Sequence, residues 1–373
     1  MIKRQLEERI RANLWKGKAI LIMGARQVGK TTLVNALFAE RSDALYLSGD
    51  EPDVRALFGD ATSARFRAII GARSVLILDE AQRIPDIGLK LKLITDQIQE
   101  VQLIATGSSS FDLANRVNEP LTGRKFEYAL YPLSFAEMTA HHGLLEEWRL
   151  LPQRLIYGYY PDVVQNAGDE RTILTQLADS YLYKDILSLE NVKKSDKLIT
   201  LLQALSLQLG AQVSYNELAG LCGLDAKTIE RYIGLLESAY IIFRLRSFGR
   251  NLRNELKYSR KIYFYDNGIR NALTANFAPV ELRGDIGALW ENFLMAERLK
   301  YRRYRAHPAN AWFWRTQQQQ EIDYIEEYDG VLHAYEFKWN PNAKAKAPAA
   351  FLRAYPGSDY SVVHRDNFED FVL

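Results

Sequence analysis

Apolar residues fall along this chain in two rhythms. Over the first third, short apolar runs, the last of them interrupted at Gln102, alternate with stretches where apolar residues recur every three or four positions. Ala19–Met23, Ala44–Leu47, Val75–Leu78 and Val101–Ala105 are the runs, and they read as buried strands. Leu33, Ala36 and Leu37 follow the first run at helical spacing, and Leu91, Ile94 and Ile98 give the same spacing within 87–98. Strand and helix in alternation predict a parallel sheet covered by helices.

Later the rhythm changes. Residues 150–158 and 172–189 read as helices broken at Tyr159-Tyr160-Pro161. Tyr157, Tyr159, Tyr160, Tyr181 and Tyr183 cluster there, and such clusters are more often core than base-stacking platforms. Tyr215–Leu221 and Ala226–Ser238 read as two helices joined by Cys222-Gly223-Leu224, the second capped by Asp225 and carrying Ile229, Ile233 and Leu236 as its buried stripe. Residues 241–248 alternate, with Phe243 and Leu245 on one face and Arg244 and Arg246 on the other. A strand at 262–265 ends in the turn signal Asp266-Asn267-Gly268. A helix over 287–299 and strands over 311–315, 321–326 and 331–339 follow. A helix and then antiparallel strands is an α+β arrangement.

The length, 373 residues, exceeds one ordinary core, so several domains are expected. The net charge of +2 implies no partner by itself; any basic surface must be local. A single cysteine, Cys222, excludes an internal disulfide and suits a reducing compartment. No apolar run approaches the length of about 18 residues expected of a membrane span. Met1–Arg11 is charged and helical rather than signal-like. A cytoplasmic protein without membrane attachment is expected.

Candidate chemistry begins after the first strand. Gly24-Ala25-Arg26-Gln27-Val28-Gly29-Lys30-Thr31 matches G-x-x-x-x-G-K-[ST], with Thr32 following. Placed between a strand and a helix, such a loop cradles polyphosphate on backbone N–H groups; Lys30 reaches the β/γ-phosphates and Thr31 binds Mg²⁺. The third strand runs into Asp79-Glu80. Asp79 would hold Mg²⁺ opposite Thr31, and Glu80 would orient or deprotonate the attacking water. The fourth strand ends in Thr106-Gly107-Ser108-Ser109-Ser110, where the Ser108 hydroxyl can contact the γ-phosphate or the water. Arg124 has two readings: a γ-phosphate contact in its own or a neighbouring subunit, or a surface ion pair.

These segments, with Leu76–Gln82, Leu121-Thr122-Gly123-Arg124 and Tyr131–Glu137, resemble a prokaryotic family of AAA-type ATPases with a C-terminal domain of unknown function. They are similar to archaeal ATPases that join a P-loop domain to a nuclease-like domain. The resemblance implies ATP and Mg²⁺ as cofactors, a small helical lid and a homo-oligomer, a ring being one form of it. A Tyr181-x-x-x-Asp185-Ile186 pattern recurs in the family without an evident chemical role.

The two helices and basic strand of the middle region read as a winged helix. Lys227, Thr228 and Arg231 would lie on the exposed face of the second helix. The segment 244–261 holds Arg244, Arg246, Arg250, Arg253, Lys257, Arg260 and Lys261 against Glu255, a local charge of 7 − 1 = +6, which suits a phosphate backbone. Winged helices also serve as protein-contact modules. Near the C-terminus Glu336 and Lys338 share a strand face, with Asp323 on the strand before and Glu291 on the helix. Together they resemble the PD-(D/E)xK nuclease core, although Ile322 stands where that motif has proline. Asp323 and Glu336 would share a divalent ion, Glu291 would complete the site and Lys338 would position water or stabilise the phosphorane.

The expectation is therefore a multidomain α/β protein. A parallel-sheet P-loop ATPase domain (1–143) is followed by a helical lid (144–195), a winged helix (196–255) and an α+β restriction-endonuclease-like domain (256–373). Its expected activity is Mg²⁺-dependent ATP hydrolysis acting on DNA, branched or broken DNA included. The rivals are an ATP-gated switch that binds a protein partner, and an ATP-regulated metal-dependent nuclease.

Overall fold

The computed structural model describes residues 1–59, 62–108, 121–189, 195–249, 260–316 and 318–373. Ser109, Ser110, Arg250, Arg253, Glu255 and Lys257 lie outside the described residues, as do the side chains of Tyr181, Tyr183 and Asp185. The chain forms two compact units, the first essentially residues 1–133 and the second essentially 134–187 with 192–237 and 241–373. No helix among the described residues is long and apolar enough to cross a membrane.

The first unit opens with α1 (Leu6–Arg11). It then alternates β1 (Ala19–Met23), α2 (Lys30–Phe38), β2 (Ala44–Ser48), α3 (Pro52–Leu57), α4 (Ser63–Ile70), β3 (Val75–Asp79), α5 (Ile87–Gln97), β4 (Gln102–Gly107) and β5 (Lys125–Ala129). The sheet order is β2-β3-β4-β1-β5, and every neighbouring pair is parallel. β1 and β3 are buried along their whole length. Helices on both faces of a parallel sheet require such unbroken apolar strands. Leu21, Met23, Leu76, Leu78 and Leu103 pack with Phe58, Phe66, Leu91 and Ile94 into one core.

The second unit begins with α6 (Phe135–His142), α7 (Leu144–Tyr157), α8 (Pro161–Gln165), α9 (Glu170–Leu189), α10 (Ser195–Leu207), α11 (Tyr215–Cys222) and α12 (Ala226–Ser238). β6 (Ile242–Ser247), β7 (Arg260–Phe264), α13 (Asn267–Leu273), α14 (Ile286–Tyr304), β8 (Asn310–Arg315), β9 (Glu321–Tyr328), β10 (Val331–Phe337), α15 (Ala349–Ala354), β11 (Asp359–Val363) and α16 (Glu369–Val372) follow. The six strands form one sheet in the order β11-β10-β9-β8-β6-β7. Trp314, Ile322, Ile325, Ala334 and Phe351 form a core against it.

Three sequence expectations change here. β6, expected as the wing after α12, hydrogen-bonds β7 on one side and β8 on the other, so it is an inner strand of the large sheet. That sheet is mixed rather than antiparallel, because β6 runs parallel to β8 and β10 parallel to β11. Asp266-Asn267-Gly268 opens a helix rather than a hairpin. The Asp266 carboxylate accepts the N–H groups of Gly268 and Ile269 at 2.8 and 3.2 Å, and an N-cap acceptor satisfies donors that a helix start leaves open.

Residues 144–165, expected in a lid, fold with the C-terminal elements in the second unit. The Asn271 side-chain amide donates to the Leu155 and Ile156 carbonyls at 3.2 and 2.8 Å. Asn267 donates to Leu155 and to Leu289 at 3.2 and 3.0 Å. The last carbonyls of α7 have no partner within their own helix, and these buried amides supply one. Tyr159 and Tyr160 are core residues, each 2% exposed, as expected of that aromatic cluster.

Candidate nucleotide site and carboxylate cluster

The phosphate loop turns from β1 into α2 at the carboxyl edge of the first sheet. Gly24 packs so tightly that a Cβ there would lie 2.1 Å from the Leu130 carbonyl oxygen; no larger residue fits. Gly29 has φ +92° and heads α2, in the left-handed region that favours glycine. Ala25 and Val28 turn their side chains into the core, so the loop presents main chain to a ligand. Gln27 and Thr32 are exposed and Arg26 is half-buried. The Lys30 ammonium donates to the Gly24 and Ala25 carbonyls at 3.0 and 2.8 Å, across the mouth of the loop.

Parallel pairing carries the ends of β3 and β4 to the same edge. Thr31 Oγ1 donates to Asp79 Oδ2 at 2.9 Å. Asp79 also accepts hydrogen bonds from the Thr106 and Tyr46 hydroxyls. Burial alone would raise this carboxyl, but the bonds from Thr106, Tyr46 and Thr31, with the Lys30 charge, outweigh it and leave the pKa below the usual value. The donors facing this point are a hydroxyl and a carboxylate, which suits a hard cation such as Mg²⁺. Glu80 follows at φ +47°, and Gln82 Nε2 donates to its Oε2 at 2.6 Å and to Ser108 Oγ at 3.0 Å. Thr31, Asp79, Glu80 and Ser108 are thus brought together at one edge of the sheet.

The first unit has the fold of a P-loop ATPase. Residues 16–139 match the family model described as an AAA domain. Residues 149–280 and 286–371 match two models described as domains of unknown function, DUF8612 and DUF4143. An uncharacterized protein of Mycobacterium tuberculosis is 25% identical over 340 residues, 90% of this chain and 74% of its own. An uncharacterized protein of Haemophilus influenzae is 25% identical over 278 residues, 67% of this chain and 68% of its own. Among solved structures, a Walker-type ATPase of Pyrococcus abyssi is similar at a TM-score of 0.50 and 15% identity, covering 74% of this chain and 96% of that one. That likeness is one of fold.

In the P-loop ATPase unit, Arg124 does not sit where a contact to its own γ-phosphate requires. Its carbonyl accepts the Ala19 N–H at 3.0 Å, which places it at the amino edge of the sheet. The phosphate loop leaves the carboxyl edge after Met23, about 13 Å away at strand rise. Arg124 Nε donates to Asp96 at 2.6 Å, an ion pair at the surface. Two residues carry no motif signal. Tyr46, on β2, reaches Asp79. Arg4 is 6% exposed and donates to the Val28 and Tyr131 carbonyls, each at 2.6 Å.

The second unit gathers the other predicted group. The pairing Tyr335↔Tyr324 sets Glu336 opposite Asp323 on adjacent strands, and the Phe337 N–H donates to Asp323 Oδ2 at 2.9 Å. Lys338 Nζ donates to Glu336 Oε1 at 2.6 Å. Glu291 on α14 accepts from the Tyr263 hydroxyl at 2.6 Å. Sequence reasoning placed Lys261 among phosphate-binding cations, but it is 1% exposed and lies inside this cluster. Its Nζ is 3.1 Å from Glu291, 2.6 Å from Glu321 and 3.8 Å from Asp323. Burial pushes Glu291 up to about 7; Lys261 opposes the shift and Asp323 adds to it. Burial also raises Asp323 and Glu336. Among the described residues no three His, Cys, Asp or Glu side chains are arranged to hold a metal ion. The cations amid these carboxylates are the buried Lys261 ammonium and the Lys338 ammonium.

The candidate DNA contacts separate in the same way. Arg244 is tied to Glu237 and, at 3.3 Å, to the Tyr215 hydroxyl, so it braces α12 against β6 instead of facing a phosphate. The Thr228 hydroxyl donates to the cap residue Asp225 at 2.7 Å. Lys227, Arg231 and Arg246 are exposed.

Proposed function

We propose that this protein binds ATP with Mg²⁺ and hydrolyses it at the carboxyl edge of the parallel sheet. The observation that carries this reading is the 2.9 Å bond from Thr31 to Asp79, with Glu80 and Ser108 at the same edge. Loop N–H groups and Lys30 bind the phosphates. Thr31 and Asp79 would hold Mg²⁺, which neutralises developing phosphate charge when bound. Glu80 accepts a proton from the attacking water or orients it, and Ser108 contacts the transferred group. The test is phosphate release from ATP with Mg²⁺ against excess chelator. Metal-independent release, or none from intact protein, would overturn the reading.

We propose DNA as the macromolecule acted on, supported by exposed Lys227, Arg231 and Arg246 and by the basic sequence around them. The rival is a protein partner gated by ATP. A homo-oligomer belongs to the same reading, and sedimentation with and without ATP measures it. For the C-terminal cluster the convergence of Glu291, Asp323, Glu336 and Lys338 supports a nuclease-like arrangement. Buried Lys261 favours one that does not depend on a divalent ion, and therefore one without metal-dependent cleavage. Nicking of supercoiled DNA in Mn²⁺ that Asp323→Ala abolishes would reverse that choice.

A further inference from the structure

We infer that Gln82 is the positioning residue for hydrolysis: its side-chain amide, held between Glu80 and Ser108, links the water-activating carboxylate to the hydroxyl that contacts the γ-phosphate. This rests on the ATPase reading of the site.

Gln82 lies in the single 3₁₀ turn Ala81–Arg83 that follows β3. Its Nε2 donates to Glu80 Oε2 at 2.6 Å and to Ser108 Oγ at 3.0 Å. A primary amide has two N–H donors, so both bonds form at once. The main chain of Glu80 has little room to move. Its φ of +47° is a conformation that a glutamate keeps only when its surroundings hold it. A Cβ on Gly49 would meet the Glu80 carbonyl oxygen at 2.4 Å, so the end of β2 presses on it. Ala81 behind it is fully buried. With the backbone pinned, the direction of the Glu80 carboxylate is set by its side-chain torsions, and the amide of Gln82 restrains them. Oε2 is occupied by that bond, which leaves Oε1 to face a water.

The same amide reads Ser108. When the serine hydroxyl turns to a phosphate oxygen, its bond to Gln82 changes, and the next group along is the Glu80 carboxylate. One side chain therefore connects phosphate occupancy to the aim of the base. Misplacing a catalytic group by about 1 Å can cost about 100-fold in rate, so a restraint of this kind acts on kcat. Its bonds go to Glu80 and Ser108, apart from the bonds of Lys30 to the loop carbonyls, so the expected effect on nucleotide affinity is small.

The test uses the full chain. Phosphate release is measured across ATP concentrations, and affinity with a fluorescent ATP analogue, for the parent, Gln82→Met, Ser108→Ala and the double variant. Methionine keeps the length and removes both donors. Expected are a fall in kcat of about 10- to 100-fold for Gln82→Met, KM and analogue affinity within about twofold of the parent, and a double variant no slower than the slower single one. Gln82→Glu, which cannot donate, should lose at least as much. Parental turnover in Gln82→Met, a loss confined to affinity, or losses that multiply in the double variant would overturn the inference. A parent that binds the analogue without hydrolysing ATP would defeat the ATPase reading itself, and this inference with it.

Discussion

In the proposed ATPase reading Lys30 and Glu80 have separable roles. Lys30 lies across the loop mouth, so Lys30→Ala should weaken nucleotide binding itself, read by titration with a fluorescent analogue. Glu80→Gln keeps the shape and removes the proposed base. It should bind nucleotide as the parent does and lose turnover by about 100-fold or more; turnover at the parent rate would remove Glu80 from its role. In the second unit Glu291 carries a pH prediction. Its folded pKa, about 7, stands above the unfolded value near 4.5. The folded state therefore holds the proton more tightly. Stability from this group is present below about 4.5 and is lost as pH rises through about 7, by an amount on the order of 1–3 kcal/mol. Glu291→Gln should flatten the fall of the second unit's melting temperature between pH 4.5 and 7, although it is less stable than the parent at low pH. An unchanged slope would place the shift elsewhere.

Helix ends and strand edges carry the next level. Asp266 caps α13 and also accepts the Tyr159 N–H at 2.6 Å, so one buried carboxylate serves three main-chain donors on two segments. Asp266→Ala should cost about 2–4 kcal/mol, since each buried donor left open costs roughly 1–3 kcal/mol and relaxation recovers part; urea denaturation of the full chain measures it. The cap was legible in the sequence only as a turn signal, because Asp-Asn-Gly serves both purposes and the choice depends on Tyr159 more than a hundred positions away. β6 was legible as a strand with Phe243 and Leu245 inward, and both are buried. Its neighbours β7 and β8 were not, since period-two alternation says which face is covered and nothing about which edge is paired.

For the whole molecule, the small net charge of +2 directs attention to local surfaces. If Lys227, Arg231 and Arg246 are phosphate contacts, reversing their charge should weaken duplex DNA binding alike for all sequences and lower the slope of affinity against salt by about 1 per contact. Unchanged binding by a folded variant would move the interface. The carboxylate cluster gives a matching test. With Lys261 as its resident cation, the parent should bind no Mn²⁺ that Asp323→Asn removes, as read by calorimetry without nucleotide. A stoichiometric site lost in that variant would assign the cluster to a metal.

The phosphate loop, the acidic end of β3 and the polar end of β4 were readable because each is local. A few consecutive residues carry the chemistry, and apolar runs beside them define a parallel sheet whose strand ends must meet at one edge. Glu336 and Lys338 were readable as sharing one face because strand periodicity assigns faces, whereas Asp323 and the helical Glu291 were joined to them only through the resemblance to a nuclease core. Folding alone decided that Lys261 is buried among those acids, that Tyr46 reaches Asp79 and Gln82 reaches Glu80 and Ser108, that Arg124 stands at the far edge of its strand, and that α7 is fastened to α13. Each of these depends on pairing across long stretches of chain. A charged or polar side chain looks the same in the sequence whether its partner is water, a phosphate or a buried carboxylate, and only the packed structure supplies the partner.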